Sequence, residues 1–181
     1  MIIFFGPAGS GKSVQGQILA ARKGWRWLSA SQLLRDARDP EILRVMQSGT
    51  LVDYEKMKTV IGDALETALS SNNIILDGFP RSIEQARWLV EDQSRFECFI
   101  DVVFVLDVPT EELLKRLSLR GRADDNEKAI NERLDIYDQE ITPILDYFKE
   151  KNINIIHING VGSIEQIHSR VIEGLKTCKL V

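Results

Sequence analysis

The chain has 181 residues, of which 44% are hydrophobic and 28% charged, with a formal net charge of −4; this is the balance of an ordinary globular protein built on one buried core. That charge excludes a broad cationic surface for nucleic acid or anionic lipid, so any phosphate site must be a local cluster of basic side chains. Cys98 and Cys178 stand far apart, with neither metal-knuckle nor redox-pair spacing, and read as packing residues in a reducing compartment.

Ile2-Ile3-Phe4-Phe5 reads as the first strand. No basic leader precedes it and no apolar run approaches the length of a membrane span, so a cytoplasmic protein without membrane or nucleic-acid partners is expected. Directly after it, Gly6-Pro7-Ala8-Gly9-Ser10-Gly11-Lys12-Ser13 satisfies the pattern G-x-x-x-x-G-K-S/T and leads into a helical stretch, Gln15 to Arg22. Glycines at these positions let backbone N–H groups turn inward on a phosphate at a helix N-terminus, whose dipole favours negative charge. Lys12 would reach the terminal phosphates, and the Ser13 hydroxyl is placed as a possible Mg²⁺ ligand. The motif implies a nucleoside triphosphate without saying which reaction.

Trp25 to Leu28 reads as the second strand, followed by helical patterns that begin near the cap residues Ser31 and Asp53. Ile74 to Leu76 is apolar at successive positions, as a strand buried on both faces should be. A phosphate-loop site also needs an acidic residue closing a buried strand, and two qualify: Asp77 here and Asp107 after Val102 to Leu106. Gly78-Phe79-Pro80-Arg81 favours Asp77, because that turn presents an arginine at the same strand end. Further helical patterns begin near Ser82, Thr110, Asp125 and Ser163. The one from Asp125 to Lys151 carries Ile130, Leu134, Tyr137, Ile141, Leu145 and Phe148 at helical spacing, with a kink expected at Pro143. Ile153 to Ile158 reads as the last strand. Five strands alternating with helices imply an α/β fold: a parallel sheet covered by helices on both faces, with ligands at the carboxyl ends of the strands.

Phosphoryl transfer asks for positioning and positive charge rather than covalent chemistry. Arg116 and Arg120 lie four apart on one helix face, Arg122 follows in a polar loop, and Arg133 flanks the apolar stripe of the long helix. Any one of them alone reads as a solvated side chain. The three tryptophans, Trp25, Trp27 and Trp88, and the two histidines, His157 and His168, are read as packing residues without metal-ligand spacing.

Together these segments resemble the adenylate kinase and UMP/CMP kinase family over essentially the whole chain. The matching stretches are Gly6 to Lys12 with Gln15, Leu28-Ser29-Ala30 with Leu33-Leu34-Arg35, Gly49 with Leu51-Val52, Leu76 to Arg81 with Gln85, and Gly121 to Asn126 with Arg133. The resemblance implies the P-loop NTPase fold as a single kinase domain over 1–181, with an acceptor-binding arm at 29–52 and a short lid at 121–126. In it Lys12, Arg81, Arg120, Arg122 and Arg133 would clamp the transferring phosphates. Gly9, Ser10, Gly11, Ser13, Val14, Arg116 and Gly162 would join Lys12 and Arg120 around ATP, with Arg116 near the donor base. Ala30, Arg35, Thr50, Leu51, Val52, Gly78, Phe79, Pro80 and Gln85 would join Arg81, Arg122 and Arg133 around the monophosphate. Ser13 and Asp77 would hold Mg²⁺, Asp77 through water. A lid this short implies no zinc, and a monomer is expected.

Three departures from the family stand out, the first at the donor phosphates and the others at the acceptor. Ser13-Val14 stands where Gly-Thr is usual, which moves a hydroxyl by one residue. Ala30 matches the UMP/CMP branch, whereas Gln85 matches the residue with which adenylate kinases read adenine, since an amide offers both a donor and an acceptor. AMP is favoured on the strength of Gln85, with UMP or CMP as the alternative acceptor. The arm is about a turn and a half of helix shorter than usual, at ~1.5 Å per residue. A nucleotide-binding switch without an acceptor is a third possibility, against which Arg35, Arg81 and Gln85 speak.

Overall fold

The computed structural model describes residues 1–48, 52–68, 73–120 and 127–180, except for the side chains of residues 47, 48, 120, 127–129 and 131–133. In chain order the elements are β1 (Ile2–Phe5), α1 (Lys12–Lys23), β2 (Arg26–Ser29), α2 (Ala30–Asp36), α3 (Pro40–Ser48), α4 (Tyr54–Thr67), β3 (Ile74–Asp77), α5 (Ile83–Glu91), β4 (Val102–Asp107), α6 (Thr110–Arg120), α7 (Glu127–Glu150), β5 (Ile155–Asn159) and α8 (Ile164–Thr177). The strands form one five-stranded sheet in the order β2-β3-β1-β4-β5. Every neighbouring pair is parallel, with Phe4 opposite Asp77 on one side and Phe104 on the other. This bears out the expected α/β architecture.

Alternation along the central strands builds two cores. Ile3, Phe5, Ile74, Leu76, Val103 and Val105 pack with α2 to α5 and α7. Ile2, Phe4, Ile75, Val102, Phe104 and Leu106 pack with α1 and α8, against Leu19, Ile167, Val171 and Leu175. Side chains on a strand point alternately to opposite faces, so strands apolar at every position must be covered twice.

Helix starts follow local chemistry. Asp53 accepts from the amides of Glu55 and Lys56, Ser82 accepts from Gln85, and Ser163 forms a reciprocal capping box with Gln166. Ser31 does not act as a cap: α2 begins one residue earlier, and the Ser31 hydroxyl lies 3.2 Å from that of Ser29. The sequence reading places no boundary at Asp39-Pro40, yet α3 starts there. Asp39 Oδ1 accepts from Glu41 N at 2.8 Å and Ile42 N at 3.2 Å, and proline occupies the first helical position, where its missing N–H costs nothing. α7 runs on through Pro143. Ile141, Ile144 and Phe148 are buried on both sides of the proline, and their packing holds the helix across the missing bond.

Two strands begin later than the periodicity implies, for one reason. Trp25 N donates to Ala20 O at 3.0 Å beyond a left-handed Gly24, and Ile153 N donates to Phe148 O at 2.9 Å beyond a left-handed Asn152. Each apolar residue is spent closing the preceding helix before the strand can pair. Trp88 is buried, and Trp25 and Trp27 pack partly buried against the α1/α8 core, as expected of packing residues. No described helix is long and apolar enough to cross a membrane.

Candidate active site

The chain leaves β1 toward one edge of the sheet and leaves β3 toward the other, which opens a crevice between the carboxyl ends of these adjacent strands. The loop after β1 enters that crevice. Gly11 caps α1 with φ 94°, and Gly9 has φ 83° with the Leu117 side chain 3.0 Å from where a Cβ would stand, so both positions demand glycine. Ser10 N donates to Pro7 O at 3.1 Å, and Lys12 Nζ lies 3.5 Å from the same carbonyl.

Asp77 ends β3 and is 4% exposed. Its Oδ1 is buried and lacks a hydrogen-bond partner among the described residues, as does the Ser10 hydroxyl. An unpaired buried polar oxygen is costly unless a ligand completes it. Asp107, the other candidate carboxylate, is exposed and paired with the His157 ring at 2.9 Å. His157 is therefore half-exposed and hydrogen-bonded to Asp107 rather than a packing residue, and Asp77 is the strand-end aspartate that lines the crevice.

A cleft of about 610 Å³ gathers Gly9, Gly11, Lys12, Ser13, Val14, Ala30, Val52, Asp77, Gly78, Arg81 and Arg116. Leu34, Met46 and Met57 from α2, α3 and α4 form its apolar side; the sequence reading assigned none of them to the site, although Leu34 stood in a matching stretch and Met46 in the arm. An adjoining cleft of about 600 Å³ brings Lys12, Pro80 and Arg81 against α7, where Glu140 joins them. Burial pushes the Glu140 carboxyl up, with the Arg81 charge acting the other way. Glu140 stands beside the apolar stripe of α7, and only its position next to Ile141 could have flagged it.

Other expected residues lie elsewhere. The Phe79 side chain is fully buried, edge-on to Trp88 at 5.9 Å, so it supports the turn from the core. Gln85 is 3% exposed and lies beneath the turn, its Oε1 accepting from Arg81 N at 2.7 Å. Arg35 is on the exposed side of α2, donating to Gln32 at 3.0 Å. Gly162, with φ 124°, precedes α8 outside the cleft lining. Thr50, Leu51 and Arg122 lie outside the described residues, as do the side chains of Arg120 and Arg133.

Arg116 is tied down by four hydrogen bonds. Its Nε donates to Glu112 at 2.8 Å, its Nη1 to Gly9 O at 3.5 Å and Ser10 O at 3.3 Å, and its Nη2 to Gly160 O at 2.9 Å. Behind the loop, Gln15 is buried, donating to Ile164 O at 3.0 Å and lying 3.2 Å from His168 Nδ1. Among the described residues no group of three His, Cys, Asp or Glu side chains is placed to hold a metal ion.

The family model described as adenylate kinase matches residues 4–153. The chain is 38% identical over 184 aligned positions to an adenylate kinase of Leptospira biflexa serovar Patoc, covering 96% of this chain and 98% of that protein. It is 36% identical over 176 positions to one from Synechococcus sp. (strain WH7803), with 94% and 95% covered, and 34% identical over 177 positions to one from Mycolicibacterium paratuberculosis, with 94% and 96% covered.

Proposed function

The chain belongs to the adenylate kinase family, and we propose that its cleft transfers the γ-phosphoryl group of ATP reversibly to AMP, giving two molecules of ADP. The observation that carries this reading is that Lys12, Asp77 and Arg81 share one cleft at the carboxyl ends of β1 and β3.

An oxygen of the monophosphate attacks the γ-phosphorus in line; the new P–O bond forms as the bond to the β-phosphate oxygen breaks, and the electron pair leaves on ADP. The acceptor is already an anion, so no general base is needed. Lys12 and Arg81 hold charge that develops on the transferring group, with Arg120, Arg122 and Arg133 completing the clamp. The arm at 29–52 and the lid at 121–126 close over both substrates and exclude the water that would hydrolyse ATP. Arg35 reaches the acceptor phosphate on that closure, while Thr50, Leu51 and Val52 border the acceptor and Gly162 the donor.

The residues fit Mg²⁺: Asp77, whose Oδ1 has no partner among the described residues, and the Ser13 hydroxyl line the same cleft. Bound with ATP, the ion would neutralise phosphate charge during transfer. Asp77 would hold it through its hydration water and Ser13 through its hydroxyl. No zinc is required by the chemistry.

AMP is favoured over UMP or CMP through Gln85. Its Oε1 has a second lone pair beyond the bond to Arg81 N, and its NH₂ can donate to a purine ring nitrogen. Ala30 is the residue in favour of the pyrimidine reading; it lines the cleft as a bare methyl. One chain carries every residue assigned, so a monomer suffices, and the free thiols of Cys98 and Cys178 suit the cytoplasm. A coupled ADP-formation assay with MgATP against AMP, UMP, CMP, dAMP and GMP tests the reading. Turnover with AMP well above the others is expected. A preference for UMP or CMP would transfer the assignment to Ala30, and no acceptor dependence at all would leave only a nucleotide-binding switch.

A further inference from the structure

In a phosphate-binding loop the peptide N–H groups face the anion, so the carbonyl ends of the same peptides face away and need partners of their own. Arg116 supplies them. Its guanidinium donates to the carbonyls of Gly9 and Ser10 and, with its other terminal nitrogen, to Gly160 O. The Ser10 carbonyl belongs to the peptide that presents the Gly11 N–H, so fixing one end of that peptide aims the other. Gly160 is itself anchored: its N–H donates to Asp107 O at 2.8 Å, and a Cβ there would meet Val108 at 2.4 Å and Asp107 O at 3.2 Å. Arg116 therefore joins the phosphate loop to the rigid end of β4 and β5.

A guanidinium reaches two separate backbone segments only if its plane is held. The third nitrogen, Nε, donates to Glu112 Oε1 at 2.8 Å, one helical turn back on α6, where both side chains are half-buried. With all three nitrogens engaged at the edges, the flat faces of Arg116 are left open to a donor base, the geometry in which arginine stacks on aromatic rings. We infer that Glu112 is a positioning residue for the donor site: through its hydrogen bond to Nε it sets the plane of Arg116, and through Arg116 the orientation of the Ser10–Gly11 peptide, whose N–H would receive an ATP phosphate. This rests on the reading of the loop as the donor site, and it adds a residue that never touches the nucleotide.

The test separates orientation from charge and from simple stability. E112A removes the acceptor, and E112Q keeps an amide oxygen in its place. KM for ATP and, independently, ATP affinity by calorimetry without any acceptor should weaken about fivefold in E112A and stay within about twofold in E112Q. KM for AMP and kcat should change little in either variant. An unchanged ATP affinity in E112A, an equal rise in both KM values, or E112Q as weak as E112A would each overturn the inference, whatever happens to the melting temperature. Because the calorimetric arm needs no acceptor, it still decides the role of Glu112 if the acceptor proves not to be AMP. An unaltered chain that fails to turn over AMP would sink the proposed reaction alone.

Discussion

The two halves of the sheet end in different ways. At the carboxyl ends of β4 and β5 polar groups find each other: Asp107 pairs with His157, Asn159 Oδ1 accepts from Val161 N at 2.9 Å, and Arg170 donates to the carbonyls of Asn159 and Val161 at 2.6 Å each. At the ends of β1 and β3, Asp77 Oδ1 is buried without a partner among the described residues in the cleft that Lys12 and Arg81 line, and the Ser10 hydroxyl is likewise buried and unpaired under the loop. Two aspartates closing strands of the same sheet thus have opposite status. The lesson is that, of the two aspartates, the one in the cleft is the one that folding leaves incomplete, and a buried carboxylate oxygen without a partner is costly unless a ligand completes it.

Removing charge from the incomplete end should have the largest effect. Arg81→Ala, on the exposed lip of the turn, is expected to lower kcat about 10³-fold, the scale of a lost arginine at a transferring phosphoryl group, while ATP affinity changes little. Single-turnover kinetics with ATP and AMP checks this. The paired aspartates offer the direct contrast. Asp77→Asn should lower kcat about 10²-fold and raise the Mg²⁺ concentration needed for half-maximal activity, whereas Asp107→Asn should stay within about twofold of the parent. Equal effects from the two substitutions would break the comparison outright.

Gln85 sharpens it from beneath. Its buried amide supports the Arg81 peptide through the 2.7 Å bond, so Gln85→Leu should both loosen the turn and remove the group assigned to the acceptor base. The preference for AMP over CMP should fall at least about tenfold. The melting temperature should drop by about 2–4 °C as the Arg81 N–H loses its partner. Loss of stability with acceptor preference intact would confine Gln85 to a structural role.

How much of this was legible beforehand follows from range. Glycine spacing, helix caps at Asp53, Ser82 and Ser163, and doubly buried strands are local or periodic features, and they can be read along the chain. Strand starts at Arg26 and Ile155 could not be placed, because a neighbouring helix end claims Trp25 and Ile153. The choice of Asp77 over Asp107 was legible in the turn that follows it, Gly78 to Arg81, but the reason Asp107 is not free was not, because its partner His157 lies fifty residues away on β5. Glu112 and Gly160 were invisible for the same reason: their roles exist only once α6, the phosphate loop and β5 converge on one guanidinium. Gln85 was assigned from resemblance, yet its burial under the turn is a property of packing that no motif encodes.

The weakest effect tests whether an unpaired polar atom always marks the ligand site. His168 is 3% exposed on α8, and its Nε2 lacks a partner, yet it lies under α1 rather than in the cleft. Burial, and then the charges of Arg22 and Lys23, hold its pKa below the ordinary 6.5. The unfolded chain therefore binds this proton first as pH falls below that value, and stability present at neutral pH declines toward the lower folded-state pKa. The slope contributed by one group cannot exceed about 1.4 kcal/mol per pH unit. Urea denaturation between pH 8 and 5.5 should show a steeper acid loss in the parent than in His168→Gln, with kcat alike in both at neutral pH. If kcat instead fell in that variant, an incomplete polar atom outside the cleft would matter to turnover, and incompleteness could no longer single out the β1/β3 end. An unaltered slope would mean that His168 is not what makes the fold acid-sensitive.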